Sequence, residues 1–222
     1  MKNALTLAVA IAAAAPAMAQ VQITEWMYSG NSGEYIEFTN LGSSAVSFAG
    51  WVYDDDSRHS TAAAGGFDLS AFGLVGAGES VLITEDDAGS FRANWGLAAS
   101  IKVLGNYANN SGRGDEINLF DAGGNLVDRL AYGDQVFAGT IRTQTAGGTP
   151  VSIAALAPQS VMPGNWVLSA TTDAYGSVMA ASGDVGNPGQ FILAAVPEPE
   201  TYAMLLAGLG VIGSIARRRR AR

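Results

Sequence analysis

Between Val21 and Phe191 the chain runs in short apolar-rich segments, separated about every dozen residues by clusters of Gly, Asn, Asp and Ser. Within Glu34–Thr39 the alternation has period two. Tyr35, Glu37 and Thr39 fall on one side of a pleat, and Ile36 and Phe38 on the other. Strands are expected from Val21 to Trp26 and over Glu34–Thr39, Val46–Trp51, Ser80–Thr84, Ile101–Val103, Glu116–Phe120, Leu126–Tyr132 and Trp166–Ser169. Asp121–Asn125 reads as a hairpin turn, since its Gly and Asn residues accept positive φ. One short helix is expected at Ala88–Trp95, with Phe91 and Trp95 spaced i, i+4 and Thr84 or Asp87 as its cap. The pattern is that of an all-β sandwich or barrel. Trp26, Trp51, Trp95 and Trp166 are its expected large packing residues, each needing a partner for its indole N–H if buried.

The two ends follow another pattern. At the N-terminus Lys2 precedes an apolar run, Ala4–Ala15, too short to span a bilayer. Ala17-Met18-Ala19 then supplies the small residues that signal peptidase requires. Residues 1–19 are therefore expected to be a cleaved signal peptide. At the C-terminus the uncharged run Thr201–Ala216 has no polar face, and Arg217, Arg218, Arg219 and Arg220 follow it directly. As a helix it would cover about 24 Å, so snorkelling arginines must supply part of the span. The arginines mark a cytoplasmic end and leave the upstream chain outside. The expected organisation is 1–19 signal, 20–195 sandwich, and 196–222 tail with a membrane helix. Gly208, Gly210 and Gly213 spell a dinucleotide-binding pattern, but no strand or crossover unit accompanies them, so that reading is rejected.

Charge sharpens the picture. The 222 residues carry a formal charge of −8, yet between Gln20 and Ala195 there are 6 basic against 18 acidic residues. A body this acidic is repelled by phosphate backbones, which argues against nucleic acid as a partner. Zero Cys excludes disulfide scaffolds, zinc–thiolate sites and Cys nucleophiles, and one His excludes multi-His metal sites.

Pro197-Glu198-Pro199, an apolar run and a terminal Arg cluster together resemble a PEP-CTERM sorting signal. The resemblance implies a Gram-negative host, processing by an exosortase near the Pro-Glu-Pro, and delivery to the cell surface or an extracellular matrix, often alongside exopolysaccharide. The body resembles a lamin tail domain, an immunoglobulin-like β-sandwich. The likeness rests on Val21–Met27 followed by Gly33–Asn40, on Ala49-Gly50-Trp51-Val52-Tyr53-Asp54, and on Gly78–Ile83. It continues through Gly114–Asp121 with Gly124, Val127-Asp128 and Tyr132-Gly133, and on to Gly164-Asn165-Trp166 and Gly186–Gly189. A run rich in Ala and Gly at Ser60–Gly66 and the stretch Ala138–Ser160 depart from it.

Candidate chemistry is sparse. His59 stands alone in a loop, and neither a nucleophile elbow nor a phosphate-binding loop occurs, so no enzymatic activity is expected. Arg113-Gly114-Asp115 spells an adhesive tripeptide but is read as a turn before a strand. Two acidic loops, Asp54-Asp55-Asp56 and Glu85-Asp86-Asp87, each follow a strand. Were they to converge they would form a calcium site; otherwise they are solvated turns. The expected function is that of an exported, non-catalytic surface or matrix protein binding protein or exopolysaccharide through edge strands and aromatic-bearing loops. The alternatives are a purely structural matrix component and a carboxylate–metal hydrolase.

Overall fold

The computed structural model describes residues 20–108 and 111–193. Its strands are β1 (Val21–Met27), β2 (Tyr35–Asn40), β3 (Val46–Ser47), β4 (Val52–Asp54), β5 (Phe67–Asp68), β6 (Leu74–Val75) and β7 (Ser80–Thr84), followed by one α-helix, α1 (Ala88–Trp95). After it come β8 (Lys102–Leu104), β9 (Asp115–Phe120), β10 (Leu126–Tyr132), β11 (Gly148–Pro150), β12 (Trp166–Leu168), β13 (Val178–Met179) and β14 (Val185–Gly186). A six-stranded sheet in the order β12-β11-β1-β2-β7-β8 faces a four-stranded sheet in the order β10-β9-β4-β5. The protein is an all-β, immunoglobulin-like sandwich.

The core between the sheets contains Val21, Ile23, Trp26, Ile36, Phe38, Val81 and Ile83 from the larger sheet. Tyr53, Ile117, Leu119, Leu130 and Tyr132 come from the smaller one. Ile23 and Trp26 both point inward although three positions apart, which strict alternation forbids. A β-bulge between Ile23 and Glu25 resolves this by inserting one residue, so that the pleat changes phase. The same bulge leaves Thr24 and Glu25 together on the outer face of the sheet.

That outer face is also buried. Met27, Tyr35, Leu82, Phe91, Trp95 and Ala180 form a second cluster there, under α1 and the segment 175–190. The helix forms as expected, and Asp87 is its cap: the Asp87 Oδ1 accepts N–H bonds from Gly89 and Ser90 at 2.9 and 3.1 Å. Gly96 ends the helix in the left-handed conformation, φ 63°.

Three expectations need correction. Val46–Trp51 is not one strand; β3 and β4 are separated by a turn in which Trp51 N–H donates to Phe48 O at 2.9 Å and Gly50 adopts φ 76°. The stretch Ala138–Ser160, which departs from the family pattern and carries no expected strand, supplies β11, wedged between β1 and β12. Of the four tryptophans Trp26, Trp95 and Trp166 are buried and Trp51 half-buried, but the indole N–H groups of Trp26 and Trp166 meet no protein acceptor. Ser60–Gly66 makes a single 3-10 turn, Ala62–Ala64, that leads into β5.

Candidate functional site

The acidic loops were the sequence's main candidate for chemistry, and the structure commits most of their carboxylates to the backbone. Asp54 is fully buried at the end of β4; its carboxylate accepts the His59 N–H and lies 3.2 Å from the His59 Nδ1. Burial raises its pKa, while the His59 amide bond opposes that rise. Asp55 accepts the Ser57 N–H at 2.8 Å, Asp86 accepts the Asp87 N–H at 2.8 Å, and Asp87 caps α1. Asp56 is exposed and Glu85 leads away from β7. The first loop follows a strand of the smaller sheet and the second follows a strand of the larger one. Among the described residues no three His, Asp or Glu side chains come together as a metal ion would require.

The adhesive tripeptide is likewise tied down. Arg113 makes a two-pronged ion pair with Asp134, at 2.8 and 2.6 Å. Asp115 accepts the Gly112 N–H at 2.7 Å, closing the turn that starts β9. The side chains that such a ligand would present are engaged within the protein. Nor do aromatic side chains offer a platform. Among the described residues no Trp, Tyr or Phe is exposed, and the large exposed apolar side chains are aliphatic or Met.

The densest polar cluster lies where sequence reasoning did not look, on the outer face of the six-stranded sheet. Glu25 and Glu37 are each 1% exposed and face each other as cross-strand partners on β1 and β2. Glu37 Oε1 accepts the Thr24 hydroxyl at 2.6 Å, and Thr24, Thr39 and Ser80 continue as a chain of hydroxyls at 2.7 Å spacing. Glu25 Oε1 accepts the Ser169 hydroxyl at 3.2 Å. Two further donors come from the strap at 175–190: Asn187 N–H to Glu25 Oε1 at 3.0 Å and Gly189 N–H to Glu37 Oε2 at 2.7 Å. The strap is itself held by the Asn187 side-chain amide, which donates to Tyr175 O at 3.0 Å and Gln190 O at 2.9 Å.

Like charges opposite each other in a dry site disfavour ionisation. Burial first, and the Glu37 carboxylate second, push the Glu25 carboxyl up to about 8. Burial raises Glu37 to about 7 against the pull of its hydroxyl and amide donors. Burial also raises Glu34 to about 7, where it accepts the Tyr107 hydroxyl and the Ser111 N–H. Asp128 rises to about 7 for the same reason. Its Oδ2 takes the Ile23 N–H at 2.8 Å, and so ties β10 to β1. The period-two pattern had put Glu37 and Thr39 beside Tyr35, which was the available signal. The placement of Glu25 needed the bulge, which the pattern does not reveal.

Between α1 and the strap lies a cleft of about 310 Å³, lined by Trp95, Leu97, Ile101, Val178, Pro188 and Gln190 among others. Its lining is mostly apolar, with Asn187 and Gln190 as the polar side chains and no titratable group among the lining residues.

Ala17, Ala19, Pro197, Glu198, Pro199 and Arg217, Arg218, Arg219 and Arg220 lie outside the described residues, as does the tail at 201–216. Among the described residues no helix is long and apolar enough to cross a membrane. The PEP-CTERM protein-sorting motif matches residues 195–220. It marks a protein that is exported and held in the membrane before exosortase processing. No curated protein and no solved structure gives a significant match. The family model of the Lamin Tail Domain matches residues 14–134, which takes in β1 to β10 and stops short of the strap. Covering more than half of the chain, over the paired sheets just described, that match places the protein in the lamin tail domain family.

Proposed function

We propose that this is a non-catalytic surface or matrix protein, released from the membrane by an exosortase, whose sandwich binds a protein or exopolysaccharide outside the cell. The observation that carries the reading is the order of parts. A sandwich with most of its acids engaged internally ends at the strap, and the sorting motif begins two residues beyond Leu193. Nothing resembling a catalytic pair lies at the cleft, which supports a binding or structural role. The expected route is cleavage by signal peptidase after Ala19, insertion of 201–216 with Arg217–Arg220 on the cytoplasmic side, and cutting near Pro197-Glu198-Pro199.

The test is cell fractionation with intact mass measurement. The reading expects a species running from Gln20 to near Pro197, found outside the cell. Replacing Pro197 and Pro199 by Ala, or deleting the exosortase, should keep the full tail and leave the protein in the inner membrane. A mass that retains Arg222 in the unaltered host would overturn release. Retention of the released sandwich on extracted exopolysaccharide, saturable and competed by free polymer, distinguishes a binding module from a purely structural one.

A further inference from the structure

The face from which the chain leaves the sandwich differs from the rest of its surface. From Ala174 to Val196 the only charged residue is Asp184, and it is 1% exposed, accepting the Asn31 N–H and the Ser182 hydroxyl. From Ala93 to Ile101, on the opposite wall of the cleft, the chain carries no charge; at the edges of the face Arg92 donates to Ala98 O and Asp173 accepts the Ser177 hydroxyl. Large apolar side chains are open to solvent on this face: Val178 at 49%, Met179 at 62% and Ile192 at 38%. Val178 and Gly176 line the cleft, and a Cβ on Gly176 would stand 3.0 Å from the Ile192 Cδ1, so these residues adjoin. An apolar face with so few charges, on a body with 18 acidic and 6 basic residues, calls for a specific neighbour.

The length of chain beyond this face identifies it. Phe191 packs against the main core. Thr201, where the apolar run starts, is ten residues on and, at roughly 3.3–3.6 Å per residue, no more than about 35 Å away. With that run in a bilayer, the sandwich stays beside the membrane surface. An acidic body is repelled by anionic lipid, and its sparsely charged side, where Arg92 offsets Asp173, is the one that can approach. We infer that the strap face of the sandwich, with Val178 and Ile192 beside the Trp95 cleft and exposed Met179 next along β13, docks on the lipid surface while the tail is inserted. Cutting near Pro197-Glu198-Pro199 would free the face. This rests on the tail insertion proposed above.

The chain has no cysteine, so one introduced thiol can be labelled alone. Protein would be taken from membranes of a host without exosortase and reconstituted into vesicles of phosphatidylethanolamine and phosphatidylglycerol. Met179→Cys, Val136→Cys and Ser214→Cys would each carry an environment-sensitive fluorophore, read by quenching with brominated lipid. Val136 is 68% exposed in the loop after β10 and serves as the reference surface position. The expected result is strong quenching at 214 and at least about threefold more at 179 than at 136. Quenching at 214 with equal, weak quenching at 179 and 136 would overturn docking alone. A blue shift at 179 without lipid quenching would assign the face to a second protein chain and overturn the lipid assignment. No quenching at 214 would overturn docking and tail insertion together.

Discussion

Glu25 and Glu37 stand opposite each other on adjacent strands, and each takes a backbone N–H from the same strap, Asn187 for one and Gly189 for the other. The final segment of the sandwich is thus fastened to two buried carboxyls, through amides that lie beyond the residues matched by the family model. The fastening links β1 and β2 near the start of the chain to the part that leads into the sorting motif.

This pair makes stability fall as pH rises. The folded-state values of Glu25, about 8, and Glu37, about 7, lie above their ordinary value of 4.5, so the folded protein binds more protons than the unfolded chain between those limits. The pair's contribution to stability is full below about pH 4.5 and is lost as pH climbs through 7 and 8. Glu34 and Asp128, each raised to about 7, add in the same direction. The expected fall between about pH 5.5 and pH 8.5 is at least about 2 kcal/mol, or about 5 °C in Tm. Glu37→Gln keeps an acceptor for Gly189 N–H and a donor for Thr24, whose hydroxyl can turn, and cannot ionise. Thermal melts should show a clearly flatter pH profile for this variant. The same slope in both proteins would mean that the pair does not set it.

Asp128 should matter out of proportion to its position in a hairpin. Its carboxylate bonds the Ile23 N–H and so ties β10 to β1. Asp128→Ala leaves a buried amide unpaired and should cost about 2 kcal/mol in denaturant unfolding at pH 6. Asp128→Asn should cost a similar amount, because one carboxylate oxygen accepts from Ile23 and the other from Arg129 N–H at 2.9 Å, so its NH2 must face a donor. An Asn variant as stable as the parent would show that this link is dispensable.

The strap can be loosened without touching either glutamate. A Cβ on Gly186 would overlap the Tyr35 hydroxyl and stand 3.0 Å from the Glu25 Oε1. Gly186→Ala is therefore expected to lift β14 from the sheet, at a cost of about 1–3 kcal/mol. Limited proteolysis should then cut within 175–190 before any site in β1 or β2. Cleavage with the same pattern and rate as in the parent would place the strap's hold elsewhere.

Alternation and turn chemistry made most of the frame legible. β7, β10 and α1 lie where the sequence put them: Val81-Leu82-Ile83 is a short β-rich apolar run, the Asp121–Asn125 turn fixes the start of β10, and Phe91 and Trp95 share a helical face behind the Asp87 cap. Two-residue strands such as β5, β6, β13 and β14 hold no period to read and exist only through their partners. β11 begins with glycine and ends with proline, which reads as loop; it is a strand because β1 and β12 flank it. The acidic cluster was missed for a related reason. Strands buried on both faces look apolar on one side only when the other carries Glu25, Thr24, Glu37 and Thr39, residues whose composition signals exposure.

The acidic loops provide the remaining prediction, since calcium and turn chemistry make opposite demands on the same carboxylates. Asp54 is buried against the His59 amide, so Asp54→Ala should cost about 2 kcal/mol. Asp87→Ala removes the α1 cap and should cost about 1 kcal/mol. Asp55→Ala and Asp56→Ala, in an exposed turn, should stay within about 0.5 kcal/mol. A calcium ion would have to draw Asp54, Asp55, Asp86 and Asp87 away from the amides they now accept, which costs those bonds before any ligation is gained. Melting curves in millimolar calcium and in chelator should therefore coincide for the parent protein. A calcium-dependent rise in Tm that disappears in Asp55→Ala or Asp86→Ala would instead show that the loops rearrange to bind the ion.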